Sequence, residues 1–394
     1  LLFNNTVSGK NVSLVVKKSD LHKALNVVHG QIFGISKKVN LAIFGHGNVG
    51  GTLIDQILKS NKTIEKRKGI HINVFAVANS KKVLLNKNGI SKNWKSSMET
   101  KAVPYELDDI FKYAKDNHLE NLIAVDNTAN EEFVASYFDF VDNGFDLVSS
   151  NKIANTLRFD YYQLLREELA KHQKQYLYET NVGAGLPLID TIKLLHLSGE
   201  NITRIKGVFS GSLSYIFNTF SEKDALFSEI LKEAMDLGYT EPDPREDLSG
   251  NDVGRKLLIL ARELDLSNEF SDILIENLIP ESLQDGDVKG FLERLDILDE
   301  KFSKIKNSQK PDHVLRYVGD LSGDLQKEKG KLEVKLISVP KESALGQIKG
   351  SDSIIEIYTE SYGQHPLVIQ GAGAGAAVTA RGVFGDILRI AEKG

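Results

Sequence analysis

Between residues 39 and 149 the apolar positions fall in short unbroken runs that alternate with stretches of helical spacing. VNLAIF (39–44) reads as a buried strand, and GHGNVGGTLIDQIL after it as a loop entering a helix. INVFAVA (72–78), NLIAVD (121–126) and FDLVS (145–149) are strands of the same kind, with the helical pattern NEEFVASYFDFVDNG between the last two. This alternation predicts an α/β domain with a doubly wound parallel sheet. Upstream, NVSLVV (11–16) alternates like a short strand, and Ser19 and Asp20 offer caps for a helix over LHKALNVVHGQIF. Residues 188–335 mix long helical patterns with alternating strands such as ITRIKGVFS (202–210), which predicts a second domain of α+β type. The closing GAGAGAAVTARGVFGDILRIAEKG is again a glycine-rich loop and a helix, expected to pack back onto the first domain.

Composition narrows the function more than the fold. A chain of 394 residues exceeds one ordinary core, so two or three domains are expected. Its net charge of -5 offers nucleic acid no polycation. No apolar run approaches the roughly 18 residues of a membrane span, and no signal-peptide pattern opens the chain. Cysteine is absent, which excludes a thiolate nucleophile, zinc–thiolate sites and disulfides, and suits a reducing, cytoplasmic compartment. Any aldehyde chemistry here must proceed without a thiohemiacetal.

Gly45-His46-Gly47-Asn48-Val49-Gly50 is a G-x-G-x-x-G run in its required place, after a strand and before a helix. Gly45 would permit the tight turn, Gly47 the approach of a pyrophosphate, and Gly50 close packing of helix on strand. That marks a Rossmann-type dinucleotide site. The second strand ends in Asn79-Ser80-Lys81-Lys82 instead of the carboxylate that binds a ribose 2′-hydroxyl, and these groups suit a 2′-phosphate. NADP is therefore expected, with NAD possible, although the turn lies further from Gly45 than the usual roughly 20 residues. Two further strand ends bring Thr128 and Lys152 to the edge where such sheets hold ligands, Lys152 toward the nicotinamide.

The stretch GYTEPDPREDLSGNDVGRKL (238–257) concentrates five acidic and three basic side chains in twenty positions. Its second half reads as a helix start, with Ser249 as N-cap, Asp252 at N3, and Leu248 and Val253 as a hydrophobic staple. The first half is a loop stiffened by two prolines. Together they can surround a small zwitterion. Glu241 and Asp247 could take an ammonium group, and Lys256, four residues after Asp252, could carry a proton.

This run, with YETNVGAGLPLIDTI (178–192), GVFSGSLSYIFNTF (207–220), SSNKIANT (149–156) and the GHGNVGG loop, closely resembles homoserine dehydrogenase over residues 38–394. It is most similar to the C-terminal half of bifunctional aspartokinase–homoserine dehydrogenases, with residues 1–36 similar to the end of the regulatory ACT region. The resemblance implies NAD(P)-dependent interconversion of L-homoserine and L-aspartate 4-semialdehyde, a step towards threonine and methionine. By position it makes Lys256 the proton donor or acceptor, with Lys152 beside it. Glu241 and Asp252 would bind or orient homoserine, with Asp247 in support. Thr128, Gly238 and Gly375 would contact the cofactor, Gly373 being the alternative to Gly375. Glu179 with the carbonyls of Val182, Ala184 and Leu186 would form a sodium site, an all-oxygen shell suited to a hard cation. A covalently joined aspartokinase and a homodimer are implied as well. The expected organisation is thus a tail over 1–36, a dinucleotide domain over 37–177 completed by 372–394, and a substrate and dimerisation domain over 178–371. Two alternatives remain at this level, another amino-acid dehydrogenase and a catalytically silent dinucleotide-sensing module.

Overall fold

Each apolar run expected in the first part of the chain is a strand in the computed structural model, which describes residues 2–5, 12–21, 24–25 and 36–393. The chain divides into two compact units. One runs up to Asn127 and includes Asp139–Val148 and the residues from Ile387 on; the other comprises Thr128–Phe138 and Ser149–Asp386.

In the first unit the strands Lys37–Phe44, Ile70–Ala78, Leu122–Asp126 and Asp146–Ser149 are nearly continuous in apolar residues, as strands covered on both faces must be. Lys37–Phe44 lies at the centre, parallel to Ile70–Ala78 on one side and to Leu122–Asp126 on the other. Two strands that periodicity did not reveal, Lys82–Leu85 and Val103–Pro104, extend the edge in antiparallel sense. The link from Ala78 to Lys82 is too short for a crossover, so the chain can only fold back on itself. Phe140 packs edge-on against Phe44, Phe111 and Phe145, with ring centroids 5.0, 5.3 and 5.5 Å away. The strand expected at 11–16 is Val12–Val15, antiparallel to Leu2–Asn5. Most of the helix expected after it lies outside the described residues.

The second unit is built on a six-stranded sheet in the order Leu274–Ile275, Lys331–Pro340, His313–Ser322, Ile202–Val208, Asp352–Thr359, Leu367–Ala372. All its pairings are antiparallel except that of Leu274–Ile275. The helices Gly211–Glu222 and Asn251–Arg262 pack on this sheet. Val208, Val314, Val318, Val339, Leu345, Ile348 and Ile354 form a buried cluster in the same unit. Residues 149–177 group with this unit. Within it the buried Asn155 side chain donates to Tyr176 and Asn181, and Asn181 donates to the Ser149 carbonyl. Among the described residues no helix is long and apolar enough to cross a membrane.

Candidate active site

The three glycines of the loop have three separate reasons in the first unit. Gly45 turns the chain at φ +79°, a left-handed angle, and its N–H donates to the Ala78 carbonyl at 2.9 Å. A Cβ on Gly50 would stand 1.9 Å from the Gly45 carbonyl oxygen, so the helix Asn48–Lys68 can approach the loop only with glycine there. A Cβ on Gly47 would meet nothing within 4 Å, so packing does not explain its glycine. Gly47 caps the helix with no side-chain bond, and the first turn, with Asn48 and Val49, holds no acidic residue. A helix start of this kind carries partial positive charge and suits an anion.

The turn after the second strand is self-contained. Asn79 Oδ1 accepts from the backbone N–H groups of Lys81 and Lys82 at 2.9 and 2.8 Å. That fixes the amide so that Nδ2 faces His46 Nε2 at 3.1 Å. Asn79 is thus committed to shaping the turn. Lys81 and Lys82, with His46, Trp94, Lys95 and Glu99, line a cavity of about 480 Å³, and Ser80 is exposed beside them.

In the second unit the charged residues come together. Lys152 caps the short 3-10 turn Ile153–Asn155, held from below by Asn151, which donates to Thr128 Oγ1 and the Asn130 carbonyl. Lys152 Nζ lies 3.3 Å from Asp252 Oδ1, and Lys256 Nζ lies 2.7 Å from Asp252 Oδ2. Lys256 is only 9% exposed and its ammonium also donates to the Phe209 carbonyl at 2.7 Å. Burial alone would raise the Asp252 carboxyl, but the Lys256 and Lys152 ammonium groups hold it well below the ordinary carboxylate range.

Around this cluster the expected helix start needs correction. Pro244 does not keep the chain out of a helix; it opens the helix Pro244–Leu248, capped by the Asp243 side chain. Ser249 closes that helix, and its hydroxyl donates to the Glu246 carbonyl. The cap of Asn251–Arg262 is Gly250 at φ +77°, where a Cβ would stand 2.0 Å from the Tyr317 hydroxyl. Asp252 is therefore at N2, one position earlier than expected. Asp247 accepts from Ser212 Oγ at 2.6 Å and from the Glu241 N–H at 2.8 Å, so it holds the Glu241 loop. Burial, then Asp247, Glu246 and Asp252, push the Glu241 carboxyl up, against the pull of Lys152. Ser212 and the Phe209 carbonyl were not legible beforehand, since a hydroxyl and a carbonyl leave no charge pattern.

The remaining expected residues fall in the same unit. Gly238 is at φ +71° just past the helix Phe227–Asp236, where helix termination already favours glycine. A Cβ on Gly373 would stand 1.8 Å from Ser353 Oγ, whereas one on Gly375 would meet nothing within 4 Å. Packing thus accounts for Gly373 and leaves Gly375 as the open position.

Glu179 is buried at the start of the helix Ile189–Leu197 and accepts from the N–H groups of Ile189 and Asp190 at 2.7 and 3.0 Å. Its own N–H donates to Asp386 Oδ2 at 2.9 Å. Burial, Asp190 and Asp386 push its carboxyl up to about 8. The segment after it carries consecutive left-handed residues, Gly183 at φ +78° and Ala184 at φ +54°, between extended Val182 and half-buried Leu186. The acidic crowding is of the kind a hard cation relieves. Asp386 was missed because it lies 207 residues from Glu179, yet a lone acid inside the apolar run VFGDILRI was the signal that could have found it.

Comparison with known proteins gives the family. Residues 45–179 match the family model for the NAD binding domain of homoserine dehydrogenase, and residues 187–388 match the homoserine dehydrogenase model. A bifunctional aspartokinase/homoserine dehydrogenase of Buchnera aphidicola is 42% identical over 386 residues, 97% of this chain and 46% of that protein. The chain spans about half the length of the curated relatives it matches. A crystal structure of a Candida auris protein of unknown function is 36% identical at a TM-score of 0.81, covering 91% of this chain and 99% of that one. A hyperthermophilic archaeal homoserine dehydrogenase solved with NADPH shares the fold at a TM-score of 0.68 and 23% identity, covering 91% of this chain and 98% of its own. The chain belongs to the homoserine dehydrogenase family.

Proposed function

We propose that this chain interconverts L-homoserine and L-aspartate 4-semialdehyde with NADP(H). The observation that carries the reading is the Lys152–Asp252–Lys256 cluster, two ammonium groups on one carboxylate, in a chain that also holds a glycine loop shaped for a dinucleotide. Gly45, Gly47, Asn48, Val49 and Gly50 would hold the pyrophosphate, and Lys81 and Lys82 the 2′-phosphate. Thr128, Lys152, Gly238 and Gly375 would complete the cofactor contacts. NADPH, when bound, supplies the hydride that reaches the aldehyde carbon. Lys256 gives a proton to the carbonyl oxygen as negative charge develops there, and recovers it in the oxidising direction. Asp252 keeps Lys256 oriented, and Lys152 adds a second positive charge. Glu241, crowded by Asp247 and Asp252, would receive the homoserine ammonium group, which relieves that crowding. The reading extends to a homodimer and to an aspartokinase joined to this half, as the name of the Buchnera relative has it.

A 340 nm assay with homoserine separates the possibilities. Reduction of NADP+ faster than NAD+ is expected. No homoserine-dependent signal with either cofactor would leave a silent dinucleotide-sensing module, and turnover only with a different amino acid would leave another dehydrogenase. Replacing Lys81 and Lys82 together with alanine is expected to weaken NADPH about 10-fold, as two exposed charge-assisted contacts should. NADH affinity should stay as it was, and an equal loss for both cofactors would contradict the 2′-phosphate role.

Sodium belongs to the same proposal, with Glu179 and the carbonyls of Val182, Ala184 and Leu186 as ligands. A carboxyl raised to about 8 when folded keeps its proton in a window where the unfolded chain has lost its own. Stability without a cation should therefore fall as pH rises from about 4, the ordinary glutamate range, to about 8. Thermal unfolding in choline chloride should show that decline, sodium chloride at equal ionic strength should reduce it, and Glu179→Gln should remove it. A wild-type curve identical in the two salts at pH 8 would sink the sodium site.

A further inference from the structure

The helix Asn251–Arg262, which carries Asp252 and Lys256 near its start, ends in an arginine whose side chain is wholly buried. The Arg262 guanidinium donates to the Asn155 carbonyl at 2.8 Å and to Glu269 Oε2 at 3.2 Å. It lies 5.8 and 5.1 Å from the ring centroids of Phe159 and Tyr162. Its Nε has no partner among the described residues. Asn155 is fully buried as well and stands three residues after Lys152 in the SSNKIANT turn. Its Nδ2 donates to Asn181 Oδ1 at 2.9 Å and to the Tyr176 hydroxyl at 3.2 Å, and its Oδ1 accepts from Arg166 at 2.7 Å. Asn181 in turn donates to the Ser149 carbonyl at 2.9 Å, so the turn is tied on both sides of Lys152.

Burying a guanidinium costs several kcal/mol, and an apolar side chain of similar volume would often pack at least as well. What the arginine supplies that an apolar residue would not is a directed bond from this helix to this turn. Lys152 and Asp252 sit on separate elements, and the salt bridge between them is partly exposed, too weak by itself to set their spacing.

We propose that Arg262 and Asn155 are positioning residues that lock the Lys152 turn to the helix bearing Asp252 and Lys256. Their bond sets the register in which one carboxylate meets both ammonium groups. The inference rests on the reading of that cluster as the proton-transfer group. Neither residue touches the reacting atoms; the effect passes through the placement of Lys152.

The test uses Arg262→Met, which keeps the volume and removes the bond, and Arg262→Lys, which keeps a charge that reaches less far. With homoserine and NADP+, kcat of Arg262→Met is expected to fall about 10- to 100-fold, the penalty of a displacement of about 1 Å in a reacting group. NADPH affinity should fall less than kcat, because the glycine loop and the Lys81–Lys82 turn, which the substitution does not touch, supply most of the proposed cofactor contacts. As Lys152 withdraws, Asp252 loses one of its two ammonium partners, and Lys256, Glu241 and Asp247 remain the charged groups facing it. The acidic limb of the kcat profile should therefore move to higher pH, and Arg262→Lys should restore part of both effects. A merely structural role would lower the folded fraction and leave the profile of the folded enzyme in place. A folded Arg262→Met enzyme with kcat within twofold of wild type and an unmoved acidic limb would overturn the proposal. Wild-type protein inactive on homoserine would overturn the underlying reading instead.

Discussion

Lys256→Ala is expected to lower homoserine turnover by about 10²- to 10⁴-fold, the usual contribution of a positioned general acid or base. The ammonium lies 2.7 Å from Asp252 and 2.7 Å from the Phe209 carbonyl, so two acceptors fix its direction in a nearly buried setting. A group so held can deliver a proton along one line without reorganising. Alanine removes the proton and leaves Asp252 with Lys152 alone. Lys256→Arg is the informative control, because guanidinium keeps the charge and does not give up its proton at working pH. It should remain as slow as alanine if proton transfer is the role, and recover if charge alone matters. NADPH binding, measured by fluorescence, should persist in both. Turnover of the alanine variant within tenfold of wild type would remove Lys256 from the mechanism.

Gly50→Ala should abolish NADPH binding and destabilise the first unit by about 3 kcal/mol, the upper part of the range for an overpacked site. The added Cβ would stand 1.9 Å from the Gly45 carbonyl oxygen, a backbone atom that no rotamer change can move aside. Relief requires the helix Asn48–Lys68 to shift from the strand end, which moves the very N–H groups meant for the pyrophosphate. Gly47→Ala tests the opposite case, since its Cβ would meet nothing within 4 Å of protein. That variant should keep its thermal midpoint and bind NADPH more weakly. If the two variants behaved alike in both thermal unfolding and NADPH titration, the separate roles assigned to the two glycines would be wrong.

Much of the first unit was legible because its signals are local. Strands covered on both faces read as continuous apolar runs, and VNLAIF followed by GHGNVGG declares strand, turn and helix within a dozen residues. The edge strands Lys82–Leu85 and Val103–Pro104 were not, being too short to show a period. In the second unit the choice of chemistry-bearing residues was legible from charge density, but their partners were not. Ser249 has the composition of a cap, and local rules favour it over Gly250. The Tyr317 hydroxyl, 67 positions away in sequence, occupies the space a side chain at 250 would need.

Residue type, spacing and periodicity, all carried within a few turns of chain, determined by themselves the parallel sheet, the dinucleotide loop and the identity of Lys152, Glu241, Asp252 and Lys256 as candidates. Tertiary structure alone decided that Lys152 and Lys256 share one carboxylate, that Asp247 serves the Glu241 loop, and that Asp190 and Asp386 crowd Glu179. The physical reason is that Coulomb and hydrogen-bond energies depend on distances of a few ångströms, and no local pattern records which groups, near or far along the chain, the fold brings that close.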